Sequence, residues 1–163
     1  MTFTWNQNIS VADETLDEQH KNLLKQIEAL HKAQQAQQAG MGDKAVLETL
    51  EFLDDYILTH LLYEESYMWK HKFPDFYAHR EIHSGFVRQY NAFKKKFAKN
   101  HSKNITRDIY LFLGEWWIGH ISVEDDEYQE YITAHPHSHP KNEIKNFHTS
   151  VQEYIVLSRV NRG

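Results

Sequence analysis

The sequence predicts an all-α fold, an antiparallel up-down-up-down four-helix bundle with an N-terminal arm and an extra short C-terminal helix. Two observations carry that expectation. Glycine and proline number only 6 and 3 in 163 residues. Where they fall, they separate four long segments whose apolar residues recur at three- and four-residue intervals. A hydrophobic fraction of 40% of the chain, with aromatic residues making up 13% of the chain, is enough to fill the core of one domain of this length.

The first segment, about Asp17 to Ala39, places Leu23, Leu24, Ile27 and Leu30 at helical spacing, and Gly40-Met41-Gly42 reads as its C-cap. Asp43 reads as the N-cap of the second, which runs to about His71 with Val46, Leu47, Leu50, Phe52, Leu53 and Ile57. Pro74 begins the third, about Asp75 to Lys99, with Ile82, Phe86, Val87, Tyr90, Phe93 and Phe97. After a polar loop at Asn100 to Asn104, the fourth runs from about Ile105 to Ala134 and carries Ile109, Phe112, Leu113, Trp116, Trp117 and Ile121 until Pro136 closes it. Short connections make neighbouring helices antiparallel. Residues 1–16 form an arm that docks through Trp5, Ile9, Val11 and Leu16, and 17–134 form the bundle. Residues 135–163 form a separate tail, a Pro- and His-rich spacer followed by a weakly amphipathic helix through Phe147, Val151, Tyr154, Ile155 and Val160.

Composition excludes several functions. The net charge of −5 comes from acids and bases mixed along the chain, and Lys94-Lys95-Lys96 is the one basic cluster, so no nucleic acid partner is expected. With no cysteine, thiol catalysis, disulfides and cysteine-ligated metals are ruled out, and any metal must be held by nitrogen and oxygen. No secretory signal and no run of about 18 apolar residues is present, so the expectation is a soluble cytoplasmic protein without a membrane partner. The histidine count, 12, stands out against this ordinary background.

Residues four apart on an α-helix lie within about 40° of each other. His60 and Glu64 on the second helix form H-x-x-x-E, and His79 and His83 on the third form H-x-x-x-H, so each pair can aim two ligands at one point. The first helix offers His20, and the fourth offers His120 followed by Glu124 and Asp125. In an antiparallel bundle all of these fall toward one end. Five imidazoles with carboxylates exceed the needs of one ion, which points to two metals, with iron, manganese or zinc suited to the donor set. Glu28 and His31 form a single ferritin-type E-x-x-H pair, where that architecture needs two.

The order of these motifs resembles the bacterial hemerythrins: His20 within Asp17-Glu18-Gln19-His20-Lys21, then H-x-x-x-E, H-x-x-x-H and His120 with Asp125 five residues on. Glu64-Glu65-Ser66-Tyr67-Met68, Phe73-Pro74-Asp75, His79-Arg80 and Trp116-Trp117-Ile118-Gly119-His120-Ile121 are similar to that family's phrases, over roughly residues 5 to 134. The resemblance implies two iron ions (Fe2+/Fe3+) bridged by an oxo or hydroxo group. It implies that His79, His83 and His120 hold one, His20 and His60 the other, and Glu64 and Asp125 bridge them. Ideal α-helical spacing favours Glu124 over Asp125 as the partner of His120, so the family pattern requires a local distortion such as a π-bulge.

The resemblance also implies reversible binding of dioxygen at the open position of the two-histidine iron, for storage, delivery or sensing, in a dry pocket formed by Leu23, Leu24, Ile27, Trp117 and Ile121. Trp117 stands where the family commonly has a leucine. An alternative role is an oxygen- or redox-sensing input domain that relays through the C-terminal helix to an output domain or a homodimer partner. A di-iron oxidase or peroxidase is the weaker expectation, because no feature of the sequence marks a substrate pocket.

Overall fold

A computed structural model describes residues 3–35, 41–99 and 103–136 of the chain. The predicted C-terminal helix and most of its spacer lie outside the described residues, as do the residues 36–40 expected to end the first helix. Four long helices form the described part. Helix α1 is Glu14–Gln35, α2 spans 41–70, α3 is Phe76–Lys99, and α4 spans 103–134. Among the described residues there is no strand. Each helix packs on the next, and α4 returns against α1 to close the bundle.

Boundaries move by a few residues from those expected. α1 begins at Glu14 rather than Asp17, because Asp13 Oδ1 accepts the Leu16 N–H at 3.0 Å and so caps it. α2 is helical from Met41, so Gly42 and Asp43 lie in its first turn and Asp43 is not the cap. α4 is helical from Lys103, inside the polar stretch expected to be loop. Leu47, expected in the core stripe, is 49% exposed.

The α2–α3 turn sets the register of the two central motifs. Phe73 N–H donates to Met68 O at 3.0 Å and Lys72 N–H to Trp69 O at 3.1 Å, the paired bonds of a Schellman motif, with Lys72 left-handed at φ 56°. Met68 and Phe73 are both buried, the apolar contact that accompanies this motif. The turn reverses the chain within five residues, so the end of α2 faces the start of α3.

The core is in two parts. A large cluster runs from Leu23, Ile57, Phe86 and Trp117 toward the far end of the bundle, and a small one holds Leu16, Met68, Phe76 and Tyr128 at the near end. On every helix the residues between these clusters include the histidines singled out above. Ahead of α1, Trp5 and Ile9 pack on the large cluster and Val11 belongs to the small one; Leu16, expected in the arm, lies in the first turn of α1 and is also in the small cluster.

Both α2 and α4 are continuous helices with a π segment in the middle, at Ile57–Leu61 and Trp117–Glu124. Such insertions leave one extra residue in the helix and shift the faces beyond it. The segment in α4 is the distortion that the His120/Asp125 spacing demanded. Its counterpart in α2 was not foreseen, since neither glycine nor proline marks it.

Candidate metal centre

His20, His60, Glu64, His79, His83, His120 and Asp125 are all at most 3% exposed and converge between the two core clusters. Each helix supplies its share because the polar residue replaces one apolar position of an otherwise apolar stripe. On α1, for example, Leu16, His20, Leu23 and Ile27 follow at helical intervals, and all four are buried.

Glu64 is central. Its Oε2 lies 3.0 Å from His83 Nε2, 3.7 Å from His79 Nε2, 3.7 Å from His120 Nε2 and 3.9 Å from His60 Nε2. Asp125 spans the group, with Oδ2 3.3 Å from His20 Nε2 and Oδ1 3.1 Å from His120 Nε2 and 3.5 Å from His79 Nε2. Two overlapping donor groups result, Glu64 with His79, His83 and His120, and Glu64 with His20 and His60, the atoms of each lying within 4.8 Å of one another. The two groups share Glu64. Asp125 stands in neither group although it touches members of both, and Glu124, which also stands in neither, is only half-buried.

His83 Nε2 lies within hydrogen-bonding distance of His120 Nε2, at 3.1 Å, but most of the other donor atoms are close without being hydrogen-bonded. Both oxygens of Glu64 and of Asp125, and the Nε2 atoms of His20, His60 and His79, are buried without a hydrogen-bond partner of good geometry. Leaving that many buried polar atoms unsatisfied costs roughly 1–3 kcal/mol each. A cation satisfies them together, because lone pairs that crowd one another in its absence become its ligands. Nitrogen and oxygen donors with no sulfur fit a first-row divalent ion such as iron.

Electrostatics reflect this crowding. Burial alone would push the Glu64 carboxyl up, but contact with His120, His79 and His83 and the charge of His60 hold it well below the usual carboxylate range. Burial lowers His60 well below the usual imidazole value, and His20 beside it acts in the same sense. His120 is lowered mainly by burial. His83 differs: burial opposes its charge, yet close contact with Glu64 and a hydrogen bond to Glu65 raise it to about 9.

Several residues that touch the ligands were not foreseen. Glu65 Oε1 accepts a hydrogen bond from His83 Nδ1 at 2.9 Å, and Gln19 Oε1 accepts one from His60 Nδ1 at 2.9 Å. Trp116 stacks on His120 with ring centroids 3.9 Å apart, Tyr56 stacks on His60 at 4.4 Å, and the Tyr128 ring stands edge-on to His79 at 5.7 Å. The adjacency of Gln19 to His20 and of Glu65 to Glu64 was the available signal. Leu23, Leu24, Ile27, Trp117 and Ile121 are all buried in the large cluster, beginning one turn from His20 on α1 and next to His120 on α4. His31 is elsewhere, stacked on Tyr110 at 5.1 Å, and His71 packs against Tyr67 at 4.7 Å.

Comparison with known proteins agrees with this geometry. Residues 11–132 match the family described as hemerythrin HHE cation binding domain. The chain is similar to a bacteriohemerythrin of Stenotrophomonas maltophilia (strain R551-3), 25% identical over 80% of this chain and 82% of that protein. It is also similar to a bacteriohemerythrin of Pseudomonas aeruginosa (strain LESB58), 28% identical over 78% and 80%. A third relative is a myohemerythrin of Theromyzon tessulatum, 30% identical over 78% and 91%. A buried cluster of five histidines and two carboxylates, on the helices and in the order that this family match spans, makes the chain a member of the hemerythrin family.

Proposed function

We propose that this protein binds dioxygen reversibly at a non-haem di-iron centre, for storage, delivery or sensing. The observation that carries this reading is the convergence of seven buried donors, five of which, His20, His60, Glu64, His79 and Asp125, have inward atoms with no hydrogen-bond partner. In this reading His79, His83 and His120 hold one iron, His20 and His60 hold the other, and Glu64 and Asp125 reach both. Two ferrous ions there supply the two electrons that dioxygen takes on binding and returns on release.

The rest follows from the chain. The two-histidine side has one protein donor fewer, which leaves room for a small exogenous ligand. Leu23, Leu24, Ile27, Trp117 and Ile121 keep water and anions from that side, which would slow the entry of protons and anions that leaves the centre oxidised and its two electrons on reduced dioxygen. No helix of the described residues is long and apolar enough to cross a membrane.

The test is to load the protein with ferrous iron without air, admit oxygen, and then degas. A visible charge-transfer band that appears with oxygen and vanishes on degassing is the expected result. Failure to take up iron overturns the reading, and irreversible bleaching replaces it with an oxidase or peroxidase.

A further inference from the structure

The two imidazoles whose outer nitrogens are held by side chains are not held alike. His83, in the three-histidine half, donates its Nδ1 proton to Glu65 Oε1 at 2.9 Å. His60, in the two-histidine half, donates to the amide oxygen of Gln19 at the same distance. Glu65 is fully buried, and the Arg80 guanidinium approaches its other oxygen at 3.7 Å. Both contacts settle the tautomer, because a proton on Nδ1 leaves the Nε2 lone pair facing the centre. They differ in charge. A carboxylate pulls the imidazole toward imidazolate character and strengthens its donation, whereas a neutral amide fixes the ring with little electronic effect.

We propose that the contrast between Glu65 and Gln19 grades the two halves of the centre, Glu65 acting through His83 to make the three-histidine half the stronger donor. This rests on the di-iron reading above. Glu65 and Gln19 are positioning residues, since each touches the outer Nδ1 of an imidazole rather than an inward donor atom. The stronger half would hold its ion the more tightly, and the weaker half would keep the more exchangeable position for a small ligand. The assignment also gives α3 a reason to carry Arg80 one residue after His79: its guanidinium stands 3.7 Å from the second oxygen of the buried Glu65, opposite the oxygen that faces His83.

The test uses the full chain loaded with ferrous iron, comparing wild type, Glu65→Gln and Gln19→Glu by iron content and by the midpoint potential of the centre. Two irons per wild-type chain is the condition under which the comparison reads the grading; none sinks the di-iron reading itself, whatever Glu65 does. With both irons retained, Glu65→Gln raises the midpoint potential and Gln19→Glu lowers it, because each changes the charge behind one imidazole at nearly constant shape. Zinc titration of Glu65→Ala shows one of the two binding steps weakened by about 10- to 100-fold, the loss typical of such outer partners. Potentials unchanged in both isosteric variants overturn the proposal and leave Glu65 a space-filling acid. Should Glu65→Gln fail to fold, Gln19→Glu, on the half-buried Gln19, decides alone: a lowered potential supports the grading and an unchanged one refutes it.

Discussion

The backbone N–H of Asp125 donates to the carbonyl of His120, five residues before it. In an α-helix that bond would come from Glu124. The π register carries Asp125 onto the inner face beside His120, and within the same segment Ser122 Oγ donates to Trp117 O at 3.0 Å. Choice of ligand is thus a property of the backbone. Deleting Val123, which is 51% exposed, removes the extra residue, returns the segment to α geometry and leaves the aspartate four residues after His120. Both cations are expected to remain bound, with helicity by circular dichroism unchanged. Loss of one cation in that variant would show that the bulge has a further role of its own.

Glu64 is the one carboxylate shared by both donor groups, so its truncation and that of His60 should differ. Glu64→Ala is expected to bind no iron tightly, while His60→Ala keeps the ion held by His79, His83 and His120. Iron stoichiometry after anaerobic loading and gel filtration distinguishes them. Equal stoichiometry in the two variants would contradict the shared position of Glu64.

How far the site could be read from the sequence follows from the reach of each signal. The spacings of His60 with Glu64 and of His79 with His83 are local, and a helical period makes each pair legible. The backing contacts of Gln19 on His60 and Glu65 on His83 join residues 41 and 18 apart, which no local period encodes. The π segment at Ile57–Leu61 was illegible for another reason: it is stabilised by packing around buried His60 and Leu61 rather than by any helix-breaking residue. Leu47 shows the converse, an apolar residue at helical spacing that faces solvent because α2 buries Val46 and Leu50 instead.

Removing the metal should expose the cost of the clustered donors. A ligand that binds only the folded chain stabilises it by about 4 kcal/mol at a thousand times its Kd. For a domain of this size that corresponds to roughly 10 °C in Tm. Thermal melts of chelated and iron-loaded protein are expected to differ by this order, the chelated form retaining its helical spectrum at 20 °C. Coincident melts would mean that the unsatisfied atoms are relieved in another way.

Alkaline titration separates the tyrosines. Burial raises Tyr56 and Tyr128 well above the ordinary phenol value, and burial with a 2.6 Å hydrogen bond to Asp54 raises Tyr90 strongly. A raised phenol favours the folded state below about pH 10 and loses that contribution as the pH climbs through the folded value. Of the 9 tyrosines, these three are expected to stay silent in the phenolate absorbance near pH 10 and to ionise together with unfolding. Their ionisation before the loss of helicity would show that their surroundings admit water.

Trp117 is buried in the large apolar cluster, three residues before His120. It is 3% exposed in the π segment of α4, and the Trp5 ring of the arm stands edge-on to it at 6.4 Å, with Lys21 Nζ 5.1 Å from the Trp5 ring. The indole is therefore held from outside by the arm as well as from within by the core. Trp117→Leu removes volume where a small ligand would enter, at a cost below the roughly 3–5 kcal/mol of a full truncation to Ala. Oxygen association and dissociation are both expected to accelerate. Loss of the oxygen-binding state to an inert oxidised form should accelerate with them, since water gains the same access. Stopped-flow mixing with the ferrous protein and the lifetime of the oxygenated band in air measure the two effects. Rates equal to wild type in a folded variant would place the route of entry away from Trp117, on a face of the bundle that the arm does not cover.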